Sequence, residues 1–454
     1  MVDVGVYHNG STTLELERLA AGILVPSGSL SERQADTRHI VDDQIRHVML
    51  ADQRGFDRVF LSEHHFEIGG VSFNPNPLGV QMLLADRTED IRLGQLATIA
   101  TWRDPIRLAE QTAMVDIVSN GRVDVGIGRG FAPRENEVLG QYWGGGIQNE
   151  EQNRASFREK IEILQQAWTE PYFSYCGEFH QIPPDHTKWH NSLDRAYLER
   201  LEDVDIADII NWSESDDPRA SVMDGDSLLK AITVYPQPVQ TPHPQLWQPV
   251  NSKRSMRWAA RRGINAVLAD RPGTPVKSLI DCYYEAAAES DWPDRRSEYR
   301  EEPFKYGWDE SRDRGVALYK PVFNTAIADE ETADRWVRGI EHLWYWFREF
   351  FPGGLADPLD LNEAEERVLR ERHSLNPEDP LRLDRQILTE KRLALIGSSE
   401  DIVNQIQQLK ETYDYEDFCF IALFEASGLS GREADRQLEH FAETVLPILR
   451  EKSS

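Results

Sequence analysis

Eight short apolar segments recur along the chain, and they alternate with longer segments in which apolar residues return at helical spacing. This alternation is typical of βα units built around a parallel sheet. The predicted strands are Val2 to Tyr7, Arg58 to Leu61, Ile91 to Thr98, Val123 to Gly128, Leu246 to Val250, Ala266 to Leu268, Val316 to Phe323 and Phe418 to Leu423. Eight such strands predict an α/β fold, a TIM (β/α)8 barrel formed by one domain over residues 1–454.

Four helices are predicted from the apolar spacing and from the residues that open them. They are Thr37 to Arg54, Pro105 to Val118, Arg154 to Thr169 and Ser398 to Tyr413. Asp104 stands before a proline at the first helical position, and Ser398 opens a Ser-Ser-Glu-Asp run. Both are signals of a capped helix start.

Three ranges do not fit a minimal barrel, and we predict that they are insertions in its loops. They are residues 182–229, 271–314 and 352–385, which are rich in charged residues and proline and have weak periodicity. Loops at the mouth of a barrel commonly control access of the substrate, but acidic surface decoration gives the same composition. The composition therefore leaves their role open.

The charge and cysteine content narrow the classes of function. Lys and Arg number 50 against 78 Asp and Glu, a net charge of -28, which argues against a nucleic-acid or anionic-membrane partner. Cys176, Cys282 and Cys419 are too few and too scattered for a disulfide framework or a cysteine zinc site, and no HExxH motif is present, so no metal is expected. The chain starts directly in a strand, without a basic or apolar leader, and no 18 apolar residues run together. We expect a cytoplasmic protein with no membrane partner.

The candidate chemistry lies where two predicted strands end. Glu63, His64 and His65 follow the second strand, and Arg129 stands among glycines after the fourth. The carboxyl ends of parallel strands meet at the mouth of a barrel, so we expect these groups to lie close together. A guanidinium binds phosphate through a fixed fork of donors, and an imidazole exchanges protons near neutral pH. The pattern predicts a phosphorylated cofactor beside a catalytic base.

Two local alternatives can be weighed from the residues. Neighbouring strand residues face opposite sides, so only one of His64 and His65 can face the barrel interior, and we select His64. The glycine run from Gly126 resembles a dinucleotide-binding loop, but Phe131 stands where the third glycine of GxGxxG would fall, and the run does not open the first βαβ unit. A Rossmann dehydrogenase is therefore disfavoured.

An ordered set of motifs resembles the bacterial luciferase-like family of flavin-dependent monooxygenases, which are TIM-barrel enzymes. The motifs are Gly55 to Phe66 (GFDRVFLSEHHF), Leu93-Gly94, Pro105 to Glu110 (PIRLAE), Ser119 to Arg122 (SNGR), Gly126 to Gly130 (GIGRG), Trp258 to Gly263 (WAARRG) and Val445-Leu446-Pro447. Each motif is weak alone, but their order along nearly the whole chain is specific for the family. It does not specify a substrate.

The resemblance implies roles for individual residues. His64 matches the family histidine beside the reacting edge of the flavin, and Arg129 matches the arginine that pairs with the flavin phosphate. Asn251, Ser252 and Ser255 follow the fifth strand, where the family places flavin-binding polar groups, although Asn251 replaces the family's acid. Leu96 and Ala97 match the position where relatives hold a cis peptide bond under the flavin ring. Trp102 either walls the flavin or fills the core.

The resemblance further implies an activity. Reduced FMN, supplied by a separate flavin reductase, would react with O2, and a small organic substrate would be oxygenated. One alternative is a hydride-transfer enzyme that uses the deazaflavin coenzyme F420 on the same barrel. Another is a non-catalytic flavin-binding paralogue. The resemblance is also compatible with a homodimer.

Overall fold

The computed structural model describes residues 3–20, 22–67, 69–142, 144–188, 200, 209–212, 227–270, 274–290, 315–350, 361–377, 379–414 and 419–451. Eight parallel strands form a closed barrel in which each strand pairs with the next along the chain and the last pairs with the first. They are β1 (Asp3–His8), β2 (Arg58–Leu61), β3 (Arg92–Gln95), β4 (Val123–Gly128), β5 (Gln245–Pro249), β6 (Asn265–Ala269), β7 (Val316–Asn324) and β8 (Cys419–Leu423). The predicted TIM barrel is confirmed.

Both faces of the barrel strands are buried, one inside the ring and the other against the surrounding helices. One buried cluster lies inside the ring and contains residues of β1, β2 and β5 to β8, namely Tyr7, Phe60, Trp247, Val267, Ala317, Cys419, Ile421 and Leu423. The sequence neighbours of Phe60, which are Val59 and Leu61, belong to the cluster shared with the surrounding helices. This alternation explains why the barrel strands are apolar almost throughout.

A charged network closes the amino-terminal end of the barrel. Arg58 donates to Asp124 at 2.8 Å and pairs with Asp3, while Arg92 donates to the same Asp124 at 2.7 Å. The Arg58 guanidinium also lies 4.7 Å from the centre of the Trp247 ring. This network blocks the floor of the barrel and leaves the carboxyl end as the open one.

Helices surround the barrel. They are α1 (Leu30–Gln53), α2 (Pro77–Arg87), α3 (Pro105–Val118), α4 (Pro133–Leu139), α5 (Glu150–Thr169), α6 (Lys253–Ala260), α7 (Val276–Glu289), α8 (Glu330–Phe350), α9 (Glu363–Arg372), α10 (Arg385–Glu390), α11 (Ser399–Tyr413), α12 (Gly431–Thr444) and α13 (Leu446–Glu451). Asp104 and Ser398 cap α3 and α11 as predicted. Within the described residues, no helix combines the length and the apolarity needed to cross a bilayer.

Some predicted boundaries are wrong. The third strand ends at Gln95, and the short strand Thr98–Ile99 pairs separately with β4 after a cis peptide bond between Leu96 and Ala97. Helix α1 begins seven residues before the predicted Thr37, because Ser29 and Glu32 form a capping box ahead of a largely exposed polar first turn. Helix α5 begins at Glu150, because Asn149 caps it.

The three predicted insertions are described only in part. Helix α7 lies inside the range 271–314, yet its buried Leu279 and Tyr283 belong to the cluster shared with the barrel strands, so that this piece is part of the barrel layer. In the range 182–229, the strands Ile210–Trp212 and Ser227–Leu229 form an antiparallel pair. Helix α9 and the first residue of α10 lie in the range 352–385. The predicted strand residues Val2 and Phe418 lie outside the described residues.

Candidate active site

A cavity of about 1500 Å³, its open mouth included, lies at the carboxyl end of the barrel. Residues at the ends of β1 to β7 line it, and helix α8 adds Leu343 and Trp344. The space within it that a water-sized molecule can reach is about 320 Å³, which lies in the range of ligand pockets, a few hundred to about 1000 Å³, so the cavity has room for a small-molecule ligand.

Arg129 forms a cationic centre at one side of this cavity. Its Nη1 donates to Asn153 Oδ1 at 2.7 Å, and its backbone carbonyl accepts from Thr101 Oγ1 and Asn153 Nδ2. No carboxylate among the described residues lies within 4.0 Å of its guanidinium. Burial lowers the pKa of Arg129 to about 10, and the nearby Arg154 adds to this effect. A rigidly held cation with no described carboxylate in direct contact fits an anionic ligand group; Glu150 and Glu151 act on it only from a distance.

The start of helix α6 lies in the same part of the cavity. Asn251 and Ser255 line the cavity, whereas Ser252 does not. Ser252 is instead the cap of α6: its hydroxyl accepts from the Ser255 amide and donates to the Ser255 hydroxyl at 3.1 Å. The first amides of a helix and its dipole favour anions. Arg129, Asn251, Ser255 and this helix start therefore form one subsite that fits a phosphate.

Leu96 and Ala97 form an apolar shelf in the cavity wall, and the peptide bond between them is cis, as the resemblance implied. The Leu96 amide donates to the Leu61 carbonyl at 2.8 Å, which ties the shelf to the end of β2. In barrel order, the shelf after β3 lies between His64, after β2, and Arg129, after β4.

His64 lines the cavity with 12% of its side chain exposed. Its Nδ1 lies 3.4 Å from the buried carboxylate of Glu135, and its ring meets Phe131 edge to face at 5.5 Å. Glu135 is held in turn by the backbone amide of His65. A carboxylate beside one ring nitrogen orients an imidazole for proton exchange.

His65 does not line the cavity. Its ring packs against Trp102 at 5.5 Å, and its Nε2 lies 3.4 Å from Glu63. Trp102 is also absent from the cavity wall, because its indole nitrogen donates to Asn136 at 2.8 Å in the buried layer behind it. Trp102 therefore fills the core and does not wall the cavity.

Several lining residues were not predicted. They are Tyr7, Asn9, Gln248, Tyr319, Leu343 and Trp344, whereas Glu63 lies at the mouth as expected. Asn9 stands two residues beyond the predicted end of the first strand. Residues at this position in a barrel are expected at the mouth, so the sequence could have indicated Asn9. Leu343 and Trp344 carry no such signal, because they reach the cavity from the middle of a helix that follows β7.

Comparison with known proteins identifies the family. The chain belongs to the luciferase-like monooxygenase family, whose pattern matches residues 21–196 and 212–416. It is 27% identical over 235 residues to the oxygenase component of a flavin-dependent trigonelline monooxygenase from Acinetobacter baylyi, covering 51% of this chain and 49% of that protein. It is 28% identical over 144 residues to an F420-dependent glucose-6-phosphate dehydrogenase from Amycolatopsis mediterranei, covering 31% and 41%. These matches span about half or less of the relatives' own length.

A solved structure of similar fold is the oxygenating constituent of 3,6-diketocamphane monooxygenase from Pseudomonas putida, which was determined in complex with FMN. The TM-score is 0.61 at 18% sequence identity, and the match covers 98% of each chain. The relatives thus include both flavin-dependent and F420-dependent proteins. The chain is a barrel of an enzyme family whose members use one cofactor or the other.

Proposed function

We propose that this protein is the oxygenase component of a flavin-dependent monooxygenase, which binds reduced FMN from a separate flavin reductase and uses O2 to oxygenate a small organic substrate in the cytoplasm. The observation that carries this proposal is the arrangement of the cavity. Arg129, which has no carboxylate in direct contact within the described residues, and the start of α6 lie on one side of the Leu96–Ala97 shelf, and the His64–Glu135 pair lies on the other.

We infer a task for each group from this arrangement. Arg129, Asn251 and Ser255 would bind the terminal phosphate, and Ser252 would act indirectly by capping α6. Leu96 and Ala97 support the ring system, which needs an apolar surface. His64, oriented by Glu135, gives or takes a proton at the reacting edge. When bound, reduced FMN would supply the electrons for O2 activation, while the barrel excludes bulk water from the reacting groups.

The charge of the cavity favours FMN over coenzyme F420. FMN ends in a phosphate dianion, whereas F420 extends beyond a phosphodiester into a chain of glutamates. Among the described lining residues, Arg129 is the cationic side chain, and the carboxylate of Glu63 lies in the same wall. One guanidinium and one helix start in the cavity match a single compact anion such as the FMN phosphate.

The proposal is tested by oxygen incorporation. The purified protein is mixed with a general flavin reductase, NADH, FMN and 18O2 and is offered a panel of neutral, cationic and anionic organic compounds. We expect at least one product that carries a single heavy oxygen atom and depends on the protein. If products form only when F420 replaces FMN, and they contain no heavy oxygen, the result would instead support the hydride-transfer alternative. Binding of neither cofactor would support a non-catalytic paralogue.

A further inference from the structure

One buried asparagine lines the cavity on the side opposite the anion subsite. Asn9 follows β1, which lies four strands from β5 in the ring, so it stands across the mouth from Asn251 and Ser255. The Asn9 residue is 1% exposed, yet it lines the cavity. With the cofactor phosphate held at β4 and β5, the Asn9 side is left for the substrate.

Hydrogen bonds to its neighbours hold the Asn9 side chain in place, and its amide nitrogen remains without a partner in the described part of the chain. The backbone amide donates to Glu425, and the backbone carbonyl accepts from Ser62 at 2.9 Å. The side-chain Oδ1 accepts from the Tyr7 hydroxyl at 2.9 Å and from the Ser72 hydroxyl at 2.7 Å. In this orientation both hydroxyls donate to Oδ1, and the amide nitrogen occupies the other position. Asn9 Nδ2 is buried and has no hydrogen-bond partner among the described residues.

The strand end that carries Asn9 is itself held rigidly. Glu425, after β8, accepts from the backbone amides of Asn9, Gly10 and Ser11. Three amides on one buried carboxylate fix the backbone at Asn9, and the two hydroxyls on Oδ1 fix its side chain. A fixed buried donor without a protein partner at a cavity wall is a place where a ligand oxygen is stabilised.

On the side of Asn9 that faces away from Glu63 and His64, the walls are apolar or uncharged. The described residues on this side are Tyr7, Val267, Tyr319, Pro321, Leu343 and Trp344. They offer apolar and aromatic surface for a hydrocarbon body, and none of them carries a formal charge. An anionic substrate group would meet no cation there, and its desolvation would go uncompensated.

We propose that Asn9 Nδ2 donates a hydrogen bond to an oxygen atom of an uncharged, mainly apolar substrate and thereby fixes which carbon faces the cofactor. Asn9 is then a specificity-determining residue. This inference rests on the proposed function, because it assigns the β4 and β5 side of the cavity to the cofactor.

The test uses two ring compounds of the same shape. Cyclohexanone carries an acceptor oxygen, and methylenecyclohexane carries a CH2 group in its place. Their dissociation constants for the full chain saturated with FMN are measured by ligand-observed NMR titration, with cyclohexanecarboxylate as the anionic probe. We expect the ketone to bind about tenfold more tightly than the alkene, the difference typical of one uncharged hydrogen bond, and the carboxylate to bind more weakly than the ketone.

Asn9→Asp, assayed at alkaline pH so that the buried carboxyl beside Glu425 is ionised, is the decisive variant, since it then keeps the shape and the Oδ1 acceptor but replaces the donor by a second acceptor. The preference for the ketone should disappear, with the affinity for FMN unchanged within about twofold. Tyr319→Phe, which removes a hydroxyl from this wall and leaves Asn9 and its partner Tyr7 in place, is the control and should keep the preference. If the aspartate variant does not fold, Asn9→Ser shortens the side chain and should give the same loss.

Several results would overturn the inference. They are equal binding of ketone and alkene by the unmodified protein, tighter binding of the carboxylate, no binding of either neutral compound, or a preference that survives in Asn9→Asp. Loss of FMN affinity in Asn9→Asp with the preference intact would assign the donor to the cofactor and refute the substrate role. Failure of the unmodified protein to bind FMN would be a failure of the proposed function, which the same titrations detect separately.

Discussion

Replacing Arg129 by methionine should stabilise the protein without ligand and weaken FMN binding in the same variant. Methionine keeps the length of the buried stem but removes a cation that has no carboxylate partner within 4.0 Å among the described residues. Asn153 loses a single donor, because its Nδ2 bonds to the Arg129 and Gly145 carbonyls remain available. The two effects arise from one buried cation with no described carboxylate in direct contact.

The magnitude follows from the pKa. Burial lowers the Arg129 pKa to about 10, which means that the folded state disfavours the charged form. The drop from an ordinary arginine pKa corresponds to about 3 kcal/mol, and contact of the guanidinium with solvent reduces this to about 2 kcal/mol. The penalty is complete at every pH below the folded pKa and decreases only as pH rises above about 10. At neutral pH the variant should therefore unfold about 2 °C higher.

The bound state should respond in the opposite direction. A charge-assisted fork between guanidinium and phosphate is lost, so the dissociation constant for FMN should rise at least about 100-fold. Arg254→Met is the matched control: Arg254 lies on α6 close to the same subsite, but it is exposed and paired with Glu151 at 2.8 Å. Its replacement should change neither the unfolding temperature nor the dissociation constant for FMN much.

The assay combines thermal unfolding without ligand and equilibrium titration with FMN on the unmodified protein and both variants. A lower unfolding temperature for Arg129→Met would show that Arg129 has a structural partner and is not held for a ligand. An FMN affinity within about threefold of the unmodified protein would show that the phosphate binds elsewhere. Either result refutes the reasoning about this subsite.

Three further predictions concern the base, a buried lysine and the barrel wall. His64→Ala should bind FMN within about twofold of the unmodified protein but lower oxygenated product at least about 100-fold; normal product yield would remove His64 from the mechanism. Burial lowers the Lys160 pKa to about 7, so the unfolded chain binds more protons above this pH, and stability should rise by about 2–3 kcal/mol between about pH 7 and 9 in urea unfolding. The Lys160→Met variant should not show this rise in the free energy of unfolding. The same dependence on pH in the variant and the unmodified protein would contradict the lowered pKa of Lys160. A Cβ on Gly126 would lie 1.5 Å from the Gln95 carbonyl, so Gly126→Ala should cost more than about 3 kcal/mol, whereas Gly146→Ala, with its nearest contact at 3.5 Å, should be nearly neutral; similar losses would contradict this reading.

The parts of the fold that the sequence predicts are those set by local patterns. The barrel strands are buried on both faces and therefore appear as apolar runs, and Asp104 and Ser398 mark helix starts by chemistry that acts within three residues. The start of α1 was missed, because its first turns are mostly exposed and polar. The division of the third strand at Leu96 depends on the backbone and leaves no trace in the apolar pattern.

The residues of the candidate site also separate into those that local sequence predicts and those that depend on packing. His64, Leu96, Ala97 and Arg129 lie at strand ends, where motif and position are read together, and the structure brings all four into one cavity wall. Ser252 was predicted beside them, but its hydroxyl is used to cap α6. Neither Glu135 nor Trp344 could be assigned, because their places depend on how α4 and α8 pack over the mouth.

The central claim is that the cavity holds reduced FMN, and anaerobic titration with reduced FMN and with reduced F420 tests it most directly, followed by rapid mixing with O2. Our account predicts tight binding of reduced FMN, weak binding of F420, and flavin reoxidation whose time course changes in the His64→Ala variant. Preferential binding of F420, or a reoxidation rate equal to that of free flavin, would contradict it.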